Sequence, residues 1–123
     1  ICTNVQLCAL RAIIYLSLVG RQGFLEVGRD CMDRASYAYH KLIQIPGVEP
    51  AFNRRFFNEF AVRLPKDAAE VVSALVDQGI AVGFPVGRYY PGMENVLLLA
   101  FTEKRTKEEI DIMAAKLESA LKS

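Results

Sequence analysis

The chain has no tryptophan, one histidine (His40) and only three cysteines among its 123 residues. Cys2, Cys8 and Cys31 are an odd number without CxxC spacing, so neither a disulfide framework nor a zinc site follows, and a reducing, cytoplasmic setting fits. Charge of one sign is missing too: 15 Lys and Arg against 14 Asp and Glu leave a formal net charge of +1. Without a basic field there is no counterion release to drive binding, which argues against a dedicated polyanion binder. No GxSxG, HExxH, GxGxxG or GxxxxGK[ST] motif occurs. Long hydrophobic runs are absent as well. The greasiest stretch, Val5 to Val19, falls short of the ~20 residues a membrane-crossing helix needs and contains Gln6 and Arg11. Only Gly20-Arg21-Gln22-Gly23 follows it, without a small-residue cleavage site, so a signal peptide fits poorly.

What is present is apolar surface. Apolar residues make up 52% of the chain, and mean hydropathy is +0.18. Such a chain buries enough to offset its ordering entropy, which rules out disorder. Its length is that of one ordinary domain and too short for most complete enzymes. The first residue is Ile1 rather than Met, as expected of a piece cut or processed from something longer. No internal repeat or flexible linker divides it.

The apolar spacing predicts two helices first. One runs from about Asn4 to Val19, opened by a Thr3/Gln6 capping box and ended by Gly20; its composition calls for burial on nearly all sides. The second runs from about Phe24 to Ile45, with Phe24, Gly28, Cys31, Ala35, Ala38, Leu42 and Ile45 facing inward. Cys8 and Cys31 fall on apolar faces, where a buried, inert thiol is expected. After Pro50 the period becomes two. Phe56 to Leu64 reads as a strand, and Asp67 caps a short helix closed by Gly79. Ile80 to Phe84 reads as a second strand, and Val96 to Phe101 as a third, buried on both faces. Thr106 and Glu109 form a capping box before a last helix with Ile110, Met113, Ala114, Leu117 and Leu121 inside. The fold class is therefore α+β: two N-terminal helices followed by a β-α-β-β-α layer, with the α/β part spanning 56–121.

Few residues carry chemistry. His40 has no Cys, Asp or Glu at ligand spacing, so a metal or acid-base role is not expected. Lys41, Lys66, Lys104, Lys107, Lys116 and Lys122 all sit in polar, charge-mixed sequence, whereas a Schiff-base lysine needs desolvation or a cation beside it. Arg54-Arg55 reads as a solvated basic pair. The segment from Gly83 to Gly92 is unusual, with glycines and prolines shaping an irregular loop around Arg88-Tyr89-Tyr90. Arg and Tyr are enriched at recognition surfaces, and they also serve structural hairpins whose tyrosines cover a sheet edge; both readings fit.

Longer motifs point to a family. Ile1-Cys2-Thr3-Asn4 with Gln6, Tyr15-Leu16-Ser17-Leu18-Val19-Gly20, Gly87-Arg88-Tyr89-Tyr90-Pro91, Asn95-Val96-Leu97-Leu98 and Thr102 through Asp111 together resemble the first, or alpha, subunit of two-subunit glycine dehydrogenases (decarboxylating), the P-proteins of the glycine cleavage system. The resemblance spans essentially the whole chain but only the C-terminal part of such a subunit. It implies the small C-terminal domain of a fold type I pyridoxal-phosphate enzyme. The family decarboxylates glycine on pyridoxal phosphate and transfers the aminomethyl group to the lipoyl arm of H-protein. The resemblance further implies that the cofactor lysine belongs to the second (beta) subunit, so that no catalytic or cofactor-binding residue is expected here. It places Thr3 and Asn4 where the chain leaves the large domain, and Arg88, Tyr89 and Tyr90 near the cleft or subunit contact. The alternative is a stand-alone ferredoxin-like regulatory or dimerisation module, which the β-α-β-β-α pattern by itself also allows.

Overall fold

A computed structural model describes residues 5–122 of the chain. Helix α1 (Val5–Leu42) is broken at Gly20, where φ is 60° and ψ is −174°. A side chain on this backbone would be strained, although nothing lies within 4 Å of the place a Cβ would occupy, so conformation and not space demands glycine. The expected boundary is thus in place, but helix resumes immediately after it instead of at Phe24, and stops at Leu42 before a turn through Pro46-Gly47.

The two halves of α1 differ in burial. Cys31, Ala35, Ala38 and Leu42 are buried, and Ile45 continues their line into the turn. Every residue from Val5 to Leu18 is exposed, including Cys8, and so is Phe24. Among the described residues the expectation of burial fails, because no other described element reaches that half. Taken whole, α1 is long and apolar enough to cross a membrane by length and composition alone. The break at Gly20, however, leaves its apolar half shorter than the ~20 residues a span requires.

Four antiparallel strands follow in the order β1-β2-β4-β3. They are β1 (Glu49–Pro50), β2 (Glu59–Arg63), β3 (Phe84–Pro85) and β4 (Val96–Ala100). The Phe56–Leu64 alternation survives as β2, in which Phe60 and Val62 are buried and Leu64 beyond it is buried too. Strand β1 has no signature in the sequence, being too short to show a period. Of the expected Ile80–Phe84 strand only Phe84 pairs, joined by Pro85, so the layer order differs from the sequence expectation at these two edges.

Register explains the core. Phe60 lies opposite Leu99 and Val62 opposite Leu97, so these four side chains share the inner face. Helix α2 (Ala68–Val76), helix α3 (Lys107–Lys122) and the second half of α1 pack on it, through Val71, Leu75, Ile110, Met113, Leu117, Ala38 and Leu42. The opposite face holds Ala61, Leu98 and Ala100, of which Ala61 and Leu98 are half-buried and Ala100 is exposed. The apolar run in β4 is therefore covered on both faces at Val96, which is buried, while its outer face is only half-buried at Leu98 and exposed at Ala100, because the described helices of the core lie on the other side. Both later helices start as predicted. Asp67 Oδ1 accepts from the Ala69 and Glu70 amides at 2.8 and 3.2 Å, and Thr106 and Glu109 exchange bonds of 2.9 and 3.1 Å. Helix α2 ends with Gly79 N–H donating to Val76 O and Ile80 N–H to Leu75 O, which satisfies carbonyls the helix leaves unpaired.

Candidate functional site

The loop that carries Arg88, Tyr89 and Tyr90 is built by close backbone approach. It begins with one turn of 3-10 helix, Val86–Arg88. A Cβ on Gly87 would stand 2.5 Å from Glu94 Cα, so only glycine lets the outgoing and returning strands of the loop touch. Further bonds pin the far side. Glu94 O accepts from Ala68 N–H and Asn95 O from Leu64 N–H, each at 2.8 Å, and Arg63 donates to Asn95 Oδ1 at 3.0 Å. The Glu94 carboxylate accepts from Gly92 N–H at 2.9 Å, and that bond holds its pKa below the ordinary carboxylate value.

Three large side chains project from this pinned loop. Tyr89 and Tyr90 are 68% and 62% exposed, and Arg88 is exposed as well. The Tyr89 ring stacks on Phe84 with centroids 5.7 Å apart, and the Arg88 guanidinium lies 5.8 Å from the Tyr89 centroid. Sequence reading singles out the Arg-Tyr-Tyr triplet but misses Phe84, whose role depends on the cross-strand register. Thr3 and Asn4 lie outside the described residues.

Other polar groups bind α1 to α3. The Asp111 carboxylate accepts from Tyr37 Oη at 2.8 Å and pairs with Lys41 Nζ at 2.9 Å. Lys41 and Lys107 approach the Tyr37 ring at 5.5 and 5.4 Å. The bond from Lys41 is the largest influence lowering the pKa of Asp111, and the bond to Asp111 the largest raising that of Lys41. His40 lies beside this clamp on a cleft of about 550 Å³ shared with Asp30, Asp33, Arg34 and Lys107. Its Nδ1 is 2.7 Å from Ser36 O, which assigns a proton to that nitrogen, and its ring meets Tyr39 edge-on at 5.5 Å. Among the described residues no cluster of three or more His, Cys, Asp or Glu is placed to hold a metal ion. Cys31 is buried and donates to Glu103 Oε2 at 3.3 Å, and burial pushes its thiol pKa up.

The model of the glycine cleavage system P-protein family matches residues 1–117. The chain belongs to the P-protein family. Among curated relatives, the probable glycine dehydrogenase (decarboxylating) subunit 1 of Nitratidesulfovibrio vulgaris (strain DP4) is 52% identical over 117 residues. That match covers 95% of this chain and 26% of the relative. A solved glycine decarboxylase (P-protein), in inhibitor-bound form, superposes with a TM-score of 0.88 at 38% identity, over 98% of this chain and 27% of that one. LysN, an alpha-aminoadipate aminotransferase from Thermus thermophilus, shares the fold with a TM-score of 0.61 at 24% identity. It covers 86% of this chain and 29% of the aminotransferase. The P-protein chain thus spans about a quarter of the length of the curated relatives it matches.

The family resemblance implies pyridoxal phosphate in the intact enzyme, and the lysines here test whether this part could anchor it. A lysine that joins a carbonyl must lose its proton easily. Lys41 is shifted the other way, Lys122 pairs with Glu118 at 2.6 Å, and Lys116 donates to Gln78 at 3.0 Å. Lys104 and Lys107 are exposed, and Lys66 is half-buried at the surface. These lysines do not fit an anchoring role.

Proposed function

We propose that this chain is the C-terminal small domain of subunit 1, the alpha subunit, of a two-subunit glycine decarboxylase. The single observation that carries the reading is the superposition on a solved P-protein over 98% of this chain but only 27% of the other. The intact enzyme decarboxylates glycine with pyridoxal phosphate held by a lysine of subunit 2, and passes the aminomethyl group to lipoylated H-protein in the cytoplasm. The chain supplies structure to that assembly and is inactive alone. Relatives about four times its length favour this reading over a stand-alone ferredoxin-like module. The test is to express full-length subunit 1, with and without this segment, together with subunit 2. Glycine-dependent carbon dioxide release in the presence of lipoylated H-protein is expected only with the segment, and undiminished release without it would sink the proposal.

Within that assembly Thr3, Asn4, Arg88, Tyr89 and Tyr90 lie near the active-site cleft or the contact with subunit 2. A pinned loop presenting Arg and two tyrosines loses little entropy on binding, which supports a recognition role for the last three. Arg88→Ala in the two-subunit enzyme is expected to weaken assembly or glycine turnover roughly tenfold, about the effect of losing one charged contact. Unchanged assembly and kinetics would reduce the loop to a structural hairpin.

A further inference from the structure

The three large side chains of the loop are of two kinds. Arg88 and Tyr89 have company within the chain: the Tyr89 ring stacks on Phe84, and the Arg88 guanidinium lies beside Tyr89 in a cleft shared with Asp67 and Glu94. Tyr90 has none. Its ring and hydroxyl meet no partner among the described residues, and it is 62% exposed. Its backbone, by contrast, is held on both sides. Tyr90 N–H donates to Val86 O at 3.1 Å, and Tyr90 O accepts from Met93 N–H at 3.2 Å. The second bond closes a turn with Pro91 and Gly92 at its corners, of type II because Gly92 has a φ of 86° after a proline. The Glu94 carboxylate fastens the Gly92 amide at 2.9 Å. Tyr90 is thus a free side chain on a fixed stem.

We infer that Tyr90 is the side chain by which this loop docks on subunit 2, entering a recess with apolar walls and a hydrogen-bonding group for the hydroxyl, while Phe84 and Tyr89 support the loop from within the chain. The inference rests on the two-subunit reading above and deepens it, by assigning the contact to one residue and one partner. Three features select that partner. The first is preorganisation. Bodies that fold separately and then associate lose entropy for every loop they immobilise, and a stem already fixed by a turn avoids that loss. The second is composition. Leu10, Ile13 and Ile14 are exposed on α1 with no polar side-chain atom, whereas a tyrosine offers ring faces for burial and a hydroxyl for water. Such a tip stays wet before assembly and becomes dry after it, as contact with a separately made chain requires. The third is place. Strand β3 forms the sheet edge opposite β1, and the first turn of the loop packs on α2 and β4, whereas α1 packs on α3 and β2. On the reading above α1 leads back to the rest of subunit 1, so the loop stands at the far edge, open to a different chain.

The test is the dissociation constant of full-length subunit 1 for subunit 2, measured by titration calorimetry for the parent and for Tyr90→Ala, Tyr90→Phe and Tyr89→Phe. Tyr90→Ala should weaken association roughly thirtyfold, the effect of losing an anchor residue. Tyr90→Phe should weaken it roughly fivefold, the share of one hydrogen bond, and Tyr89→Phe, which keeps the ring stack, by less than that. Parent-like affinity of Tyr90→Ala overturns the inference, and so does a loss in Tyr89→Phe that equals the loss in Tyr90→Phe. Subunit 1 carrying Tyr90→Ala should melt within about 1–2 °C of the parent; a larger fall also overturns it, because the ring then serves the chain's own fold. Thiol alkylation of Tyr90→Cys identifies what covers the site. In full-length subunit 1 alone the thiol should react as fast as in urea, and with saturating subunit 2 roughly tenfold more slowly. Slow reaction in subunit 1 alone overturns the inference, since the subunit then covers the residue itself. If the parent subunits do not associate, the two-subunit reading fails and the inference with it; if they associate without regard to Tyr90, the inference alone fails.

Discussion

At the scale of single residues, position in the fold and not residue type sets chemistry. Cys8 and Cys31 both read as buried thiols on apolar helix faces, yet only Cys31 is enclosed, with its pKa raised by burial. In the isolated chain near pH 7, maleimide should modify Cys8 at least tenfold faster than Cys31. Equal rates would mean that the second half of α1 does not stay packed. Gly87 offers a second check. Gly87→Ala places a methyl group 2.5 Å from Glu94 Cα, where backbone must give way. Thermal or urea unfolding should show a loss of about 1–3 kcal/mol. No loss would mean that the loop is looser than its hydrogen bonds imply.

At the scale of elements, α1 and α3 are joined by apolar contact and by the clamp of Tyr37, Lys41 and Asp111. The folded pKa of Asp111 lies below its ordinary value of 3.8. Its contribution is therefore complete above that value and is lost as pH falls through the depressed one. Lys41 has a folded pKa above its ordinary 10.5, so its share is complete below 10.5 and is lost as pH rises through the raised value. The clamp thus acts across the neutral range. Asp111→Asn should lower stability at pH 7, and its unfolding curve should converge on that of the parent chain as pH drops below 3.8. A difference that persists undiminished at low pH would assign the effect to packing instead of charge. Tyr37 and Lys41, one helical turn apart, are visible as neighbours in the sequence. Asp111 is not, because α3 meets α1 only after the sheet has folded between them.

At the scale of the whole molecule, the surplus of apolar residues is sorted into two unpartnered surfaces, the first half of α1 and the open sheet face. Leu7, Leu10, Ile13, Ile14 and Leu18 are each at least half exposed. A surface of that kind drives association when its natural cover is missing. The isolated chain should self-associate at high concentration, and the pair Leu10→Glu and Ile14→Glu should shift it toward monomer in sedimentation without lowering its melting temperature by more than about 1–2 °C, since neither residue touches the core. A large fall in melting temperature would show that this half of α1 supports the core after all.

The sequence by itself determined what is local. Helix starts follow from Asp67 and Thr106, the break in α1 from Gly20, the inner stripe from Cys31 to Ile45, and the inner face of β2 from the alternation of Phe60, Val62 and Leu64, because each depends on a hydrogen bond or a period within a few residues. Long shared motifs also carried the family. Tertiary structure alone decided which apolar stretches are covered, since burial depends on which elements arrive from elsewhere in the chain. It decided that Phe84 stacks on Tyr89, that β3 shrinks to two residues, and that the helices share one side of the sheet. The opening scarcity acquires its meaning there. A chain with little charge imbalance, one histidine and no nucleotide-binding or hydrolase motif has its character in its greasy surfaces, and only the folded arrangement distinguishes those that form its own core from those it leaves exposed.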